Sequence, residues 1–273
     1  MQAIIDQVVT TPDPTPQGVP NPIHDGDGAA AAGYAGALVA GVRTYGWVVQ
    51  TIVRALGAQW LANGWVDFTL RRPLFAGEVV TIELKQHPDE WRLACTAGES
   101  GSTRVVMDGT AGLGEALWVG DLNPPDAASA QSPPDIKPSY ELASVPSNTP
   151  LTPLGAYVSA SGALAMVRDD LGVQPGDATL YETERRIHPY FLAGRMAPLT
   201  RHNFTYGPTI HVRSQIQHNR TPLADREFVV GAQIVDAYER NEHWYQVLDG
   251  VVTDDLGQVC RIRHHTIFRP RGT

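Results

Sequence analysis

The chain has 273 residues, 42% of them apolar, with six Trp and a formal net charge of −8. That length holds one large domain or two ordinary ones, and that apolar content excludes a disordered chain. The negative balance argues against nucleic acid as a partner, because phosphate binding needs a basic face. The basic spots Arg71-Arg72, Arg185-Arg186 and Arg269-Pro270-Arg271 are isolated and read as solvated surface. Cys95 and Cys260 are the only cysteines, and no CxxC or Cys/His spacing suits zinc. No metal or cofactor is expected, and a reduced, cytoplasmic setting fits. The opening residues MQAIID lack the basic and apolar regions of a secretory signal. The longest uncharged apolar stretch, residues 29–42, is too short and Gly-rich to span a bilayer, so no membrane association is expected.

In chain order, the first distinctive segment is Asn21-Pro22-Ile23-His24, followed by DGDGAAAAGYAGALVAGV. Asn-Pro marks a turn. Asp25 or Asp27 is placed to cap a coming helix. Residues 30–62 carry only two charges, Arg43 and Arg54. The part TYGWVVQTIVRALGAQWLA predicts a helix closed by Asn63-Gly64. Being apolar nearly all round, it must be buried on most sides. A strand follows at 65–70 (WVDFTL), then RRPLFAGEVVTIEL, a turn at 87–90, a strand at 91–96, a Gly/Ser turn at 98–102 and a strand at 103–108.

Residues 121–153 hold eight of the chain's 21 prolines. Proline this dense sustains neither helix nor central strand, so the segment reads as a semi-extended linker between two halves, 1–120 and 154–273. Beyond it, 159–171 (SASGALAMVRDDL) predicts an amphipathic helix. A short helix near 194–202, interrupted by Pro198, is the candidate for the buried role. Strands follow at 210–217, within 218–239, at 243–253 and at 259–268. Each half is thus a long strand, a Pro-containing jog, a second long strand and a meander, and the same order twice argues for duplication.

The NPIH segment, the Gly33-Tyr34 pair and the small-residue turn Ala37-Leu38-Val39-Ala40-Gly41 resemble the start of the MaoC-like hotdog family. Arg72-Pro73 and Gly77-Glu78 follow as they do there. The resemblance covers residues 18–115 well and the second half loosely, where the motif is degraded. It implies an α+β double hotdog, two helix-wrapped antiparallel sheets in one chain. It also implies hydratase or dehydratase chemistry on an acyl group carried by CoA or a carrier protein. The N-terminal half would carry the site and the C-terminal half would shape the acyl tunnel. A single chain of this kind completes its own sheet; further dimerisation, or a hetero-complex with a second hotdog chain, is compatible with it.

By that resemblance His24 is the base and the backbone of Gly41 the donor to the thioester oxygen. A neutral His has a pKa near working pH, and amides at a helix start are fixed donors at the positive end of its dipole. Asn21, Tyr34, Val19, Tyr45 and Arg43 are candidate substrate contacts. The family's Asp, five residues before the His, is Val19 here. Three outcomes stay open. His24 acts alone as a base; a carboxylate from the second half, Asp177 first, completes the site; or the chain binds an acyl ligand, or serves in a complex, without hydration. A hotdog thioesterase is a further alternative, weakened by the lack of Asp or Glu in residues 42–62. His211 and Arg213, alternating about Val212, should share one strand face, and His264 and His265 should point opposite ways. No GxSxG, P-loop, GxGxxG after a strand, or HExxH is present.

Overall fold

The computed structural model describes residues 2–12, 21–98 and 102–272. In the first half come β1 (Ala3–Val9), α1 (Gly26–Ala31), α2 (Gly41–Leu56), α3 (Trp60–Asn63), β2 (Gly64–Leu70), β3 (Val79–Gln86), β4 (Trp91–Ala97) and β5 (Arg104–Leu113). The second half holds β6 (Leu154–Val158), α4 (Ala160–Ala165), α5 (Pro175–Glu182), α6 (Pro189–Ala193) and α7 (Met196–Asn203). It ends with β7 (Ile210–His218), β8 (Arg226–Arg240), β9 (His243–Asp254) and β10 (Gly257–Arg269). The ten strands among the described residues form one sheet in the order β1-β3-β4-β5-β2-β7-β10-β9-β8-β6. Every neighbouring pair is antiparallel.

Read outward from its centre, the order is the same on both sides. β2 matches β7, β5 matches β10, β4 matches β9, β3 matches β8, and β1 matches β6. The halves meet where β2 pairs with β7, from Trp65 opposite Gln217 to Thr69 opposite Arg213. This is the double hotdog: two five-stranded sheets joined edge to edge, with the helices laid on one face. Alternation writes the strand faces directly. β4, WRLACTA, buries Trp91, Leu93, Cys95 and Ala97 and turns the residues between them outward.

α2 is the helix the first half wraps. Its residues 43–52 are all buried, as its nearly uncharged sequence requires. It ends earlier than the sequence suggested. Gly57 adopts φ +80°, a conformation that favours glycine, and the chain breaks there before α3. The break turns Trp60 inward to full burial.

The second half has no counterpart of that length. The segment read as an amphipathic helix is α4 followed by a π-helical turn over Met166–Asp170, and the buried role falls to α6 and α7. Pro189 opens α6, while Pro198, three residues into α7, sits in the first turn, where a missing N–H costs nothing. Strands β1 and β6, one at each end of the sheet, were not read from the sequence.

Residues 121–153 contain no strand. They lie against the second half through isolated bridges of Ser139 to Thr205, Ser147 to Ile234 and Pro150 to Gln233, and through the buried side chains of Tyr140 and Leu151. Tyr140 stacks on Phe204 at 4.5 Å.

At the seam, Phe68 of β2 is fully buried and stacks on Tyr45 of α2 with ring centroids 5.0 Å apart. Phe68→Ala is expected to lower unfolding free energy by about 3–5 kcal/mol. Chemical denaturation followed by tryptophan fluorescence measures it, and a shift of the midpoint with an unchanged slope is the expected form.

Candidate active site between the two halves

A cavity of about 320 Å³ opens where the start of α2 faces β7 and β10. It is within the usual range for a small-molecule site. The first half contributes Asn21, His24, Tyr34, Leu38, Gly41 and Leu70; the second contributes Thr209, His211, His264 and Thr266. Arg71 and Arg72, both exposed, stand at its rim, and Arg71 is paired with Asp108. Among the described lining residues there is no carboxylate.

The NPIH segment forms a single 3-10 turn, Pro22–His24, with Ile23 buried beneath it. Asp25 then caps α1, its Oδ1 accepting from the Gly28 amide at 2.7 Å. The Asn21 side chain reaches across to the second half. Its Nδ2 donates to the Thr209 carbonyl at 2.8 Å and its Oδ1 accepts from the Thr209 amide at 3.2 Å. That pair fixes which way the amide faces. The same Nδ2 lies 3.3 Å from His24 Nε2, so it presents a donor to that nitrogen. On the other side, His24 Nδ1 is 2.7 Å from the Leu38 carbonyl, which can only accept. Together the two contacts favour the tautomer with the proton on Nδ1 and with Nε2 as the acceptor.

Gly41 is the first residue of α2. A Cβ there would stand 2.2 Å from Leu70 Cδ1 and 3.1 Å from both Cβ and Nδ1 of His211. Only glycine allows the helix start to come this close to β7. The first amides of an α-helix have no carbonyl partner within it, so this end offers donors and positive potential to the cavity.

Of the other sequence candidates, Tyr34 and Asn21 line the cavity, while three are placed elsewhere. Tyr45 is fully buried against Phe68, its hydroxyl without a partner among the described residues, and it is not among the residues lining the cavity. Arg43 is buried on another side of α2, donating to the carbonyls of Thr11, Pro12 and Asp170. Asp177, on α5, is ion-paired with Arg54 at 2.7 Å, and Arg54 also holds Asp6. Arg54 lies thirteen residues after Gly41, a rise of roughly 20 Å along the helix. Asp177 therefore does not complete the His24 site. Val19 lies outside the described residues.

The sequence reading missed the second half's contribution, and a β-bulge is the reason. In the β7–β10 ladder Arg213 sits opposite His265 but His211 opposite Thr266, leaving Val212 as an extra residue. The bulge puts His211 on the same face as Ser214, and not with Arg213 as alternation implied. Arg213 points the other way, to Asp67 at 2.6 Å. On the cavity side His211 Nε2 is 2.8 Å from Ser214 Oγ, and Ser214 Oγ is 2.9 Å from His264 Nδ1. The two imidazole rings lie 4.3 Å apart. Burial pushes His211 down to about 3 and His264 well below the usual histidine range, so both are neutral. Burial likewise lowers His188 to about 3 and His218 to about 4.

Two outcomes follow from this geometry. Gly41→Ala is expected to cost about 1–3 kcal/mol, because the His211 Cβ cannot yield as the tip of Leu70 can; thermal unfolding reads it. The buried histidines make stability depend on pH. Their folded pKa values lie below the unfolded value of about 6.5, so the unfolded chain binds more protons between the two. The stability is present above that pH and is lost as pH falls toward about 4. His218 packs edge-on to Trp60 at 4.7 Å with neither ring nitrogen bonded to a described residue, so His218→Phe should flatten the dependence in thermal melts taken over that range.

No family model matches this sequence, and no curated protein matches it. Solved structures do match the fold. A MaoC domain protein from Chloroflexus aurantiacus J-10-fl, described as a dehydratase, is 13% identical with a TM-score of 0.62, over 99% of this chain and 95% of that one. Rv0216 from Mycobacterium tuberculosis, described as having a double hotdog fold, is 16% identical with a TM-score of 0.58, over 89% and 86%. A MaoC-like dehydratase is 12% identical with a TM-score of 0.54, over 90% and 89%. The chain is a double hotdog protein, and its structural neighbours include MaoC-like dehydratases.

Proposed function

We propose that the chain is a hydro-lyase acting on acyl thioesters, removing water from a 3-hydroxyacyl group or adding it to a 2-enoyl group. The observation that carries this reading is His24 itself, at the edge of the cavity, with Nδ1 against the Leu38 carbonyl and Nε2 as the nitrogen that accepts. A C–H beside a thioester carbonyl is weakly acidic and needs both a base and a stabilised enolate oxygen. His24 supplies the first. The start of α2 at Gly41 supplies the second, as fixed donors that need no reorganisation when charge develops.

In the dehydration direction the α-proton takes the place of the long 3.3 Å Asn21 contact at His24 Nε2, and the electron pair goes to the thioester oxygen, facing Gly41. The enolate then reforms the carbonyl and expels the C3 hydroxyl, which takes the proton back from the His24 imidazolium and leaves as water. His24 returns to its neutral state, so one residue serves as base and then as acid, and no paired aspartate is required. The largely apolar wall suits an acyl chain, and Arg71 and Arg72 at the rim suit the phosphates of CoA or a phosphopantetheine carrier. A hotdog thioesterase that activates water with a carboxylate would find none among the described lining residues.

The test is crotonyl-CoA hydration, followed by loss of the enoyl absorbance. The wild type is expected to hydrate it, and His24→Ala to lose at least about 10²-fold in kcat. Stability should fall by only about 1 kcal/mol, the worth of the bond to Leu38. Release of free CoA by the wild type, or full turnover by the variant, contradicts the reading.

A further inference from the structure

The His211–Ser214–His264 chain in the second half takes no part in the chemistry above, yet it borders the same cavity. Ser214 Oγ bonds only His211 and His264 among the described residues, so its one buried proton must go to one of them, and the chain then has two neutral arrangements. In one, Ser214 donates to His264 Nδ1, accepts from His211 Nε2, and leaves His264 with its proton on Nε2. In the other every bond is reversed, and His211 carries its proton on Nδ1.

The surroundings choose between them. His211 Nδ1 is buried with no hydrogen-bond partner among the described residues, 3.1 Å from where a Cβ of Gly41 would stand, although the Arg213 backbone lies close enough to the ring to oppose part of the effect of burial. It lies beside the positive end of α2, where a lone pair is favoured over an N–H. The first arrangement is therefore selected. His264, only 5% exposed, then has an Nε2–H that bonds no described residue, and its ring lines the cavity.

We propose that His264 is a second polar group of the active site, a neutral imidazole whose Nε2–H donates a hydrogen bond to the oxygen on C3 of the acyl group, with Ser214 and His211 as its positioning residues. The inference rests on the acyl-thioester reading of this cavity. It assigns the C-terminal half a direct role, so that the site is composite: His24 and Gly41 from one half, His264 from the other. Burial holds both histidines uncharged at neutral pH, which makes His264 a donor and not a proton source. No proton leaves it during turnover. Gly41 takes the thioester oxygen; His264, one ring beyond Gly41 by way of His211, is placed for an oxygen two carbons along the chain.

Two measurements on the full chain test this separately from the overall reading. The first needs no turnover. Nitrogen-15 spectra of histidine-labelled protein, assigned with His211 and His264 variants, report which nitrogen of each ring is protonated. His264 protonated on Nε2, with Ser214→Ala producing a mixture, is expected; His264 protonated on Nδ1 in the wild type overturns the proposal. The second is crotonyl-CoA hydration by three variants. His264→Leu should lose roughly 10²-fold in kcat, as removal of one fixed donor does. Ser214→Ala should lose about tenfold. His264→Gln, whose Nε2 can stand near that of the imidazole, should recover much of the loss. Equal losses in the Gln and Leu variants, with circular dichroism showing both folded, also overturn it. If the wild type hydrates no crotonyl-CoA, the thioester reading fails, and the spectra still decide the proton arrangement.

Discussion

The pairing of β2 with β7 is the constraint on which the rest of the molecule depends. Each half alone is a five-stranded sheet with an unpaired inner edge, and a row of open amides and carbonyls is a liability in water. Five residue pairs close that edge, from Trp65 opposite Gln217 to Thr69 opposite Arg213. The same register puts Ser214 opposite Phe68, which stacks on Tyr45 of α2, so the seam and the buried helix share one core. It also brings β7 beside the start of α2, where Gly41 has no room for a side chain. The cavity exists because those two elements approach without quite closing.

The site inherits its precision from that arrangement. Asn21 reads the backbone of Thr209 with both ends of its amide, and in doing so faces its nitrogen toward His24. A contact between halves thereby sets the state of an imidazole within one half. The pattern recurs across the cavity, where Gly41 of the first half sets the proton arrangement of a histidine chain in the second. Binding and catalysis by such a site would be coupled to the integrity of the seam, because neither half holds its own polar groups in place unaided.

Much of this was legible in the sequence. Alternation gave most strands of both meanders, and a nearly uncharged run gave the buried helix. The NPIH segment with its glycine-rich sequel pointed to His24, Gly41, Asn21 and Tyr34, all of which line one cavity. What was missed was decided by local backbone events or by partners distant in sequence. Gly57 ends α2 early through one positive φ. The edge strands β1 and β6 are only partly covered, so their hydrophobic signal is weak. Arg43 and Tyr45 belong to a helix buried on all sides, where sequence position does not say which side faces the cavity. Asp177 was drawn toward the site by its charge, but Arg54 holds it at the far end of α2. The single extra residue at Val212 hid the His211–Ser214–His264 chain, since strict alternation assigns His211 to the wrong face.

The most direct test of the account is a crystal structure with a non-reactive amide analogue of crotonyl-CoA. The account predicts the carbonyl oxygen at the Gly41 end of α2, the α-carbon facing His24 Nε2, and the nucleotide beyond Arg71 and Arg72. An acyl group bound elsewhere, such as in the cleft formed by Asp6, Arg54 and Asp177, or a carbonyl turned away from the helix start, would contradict it.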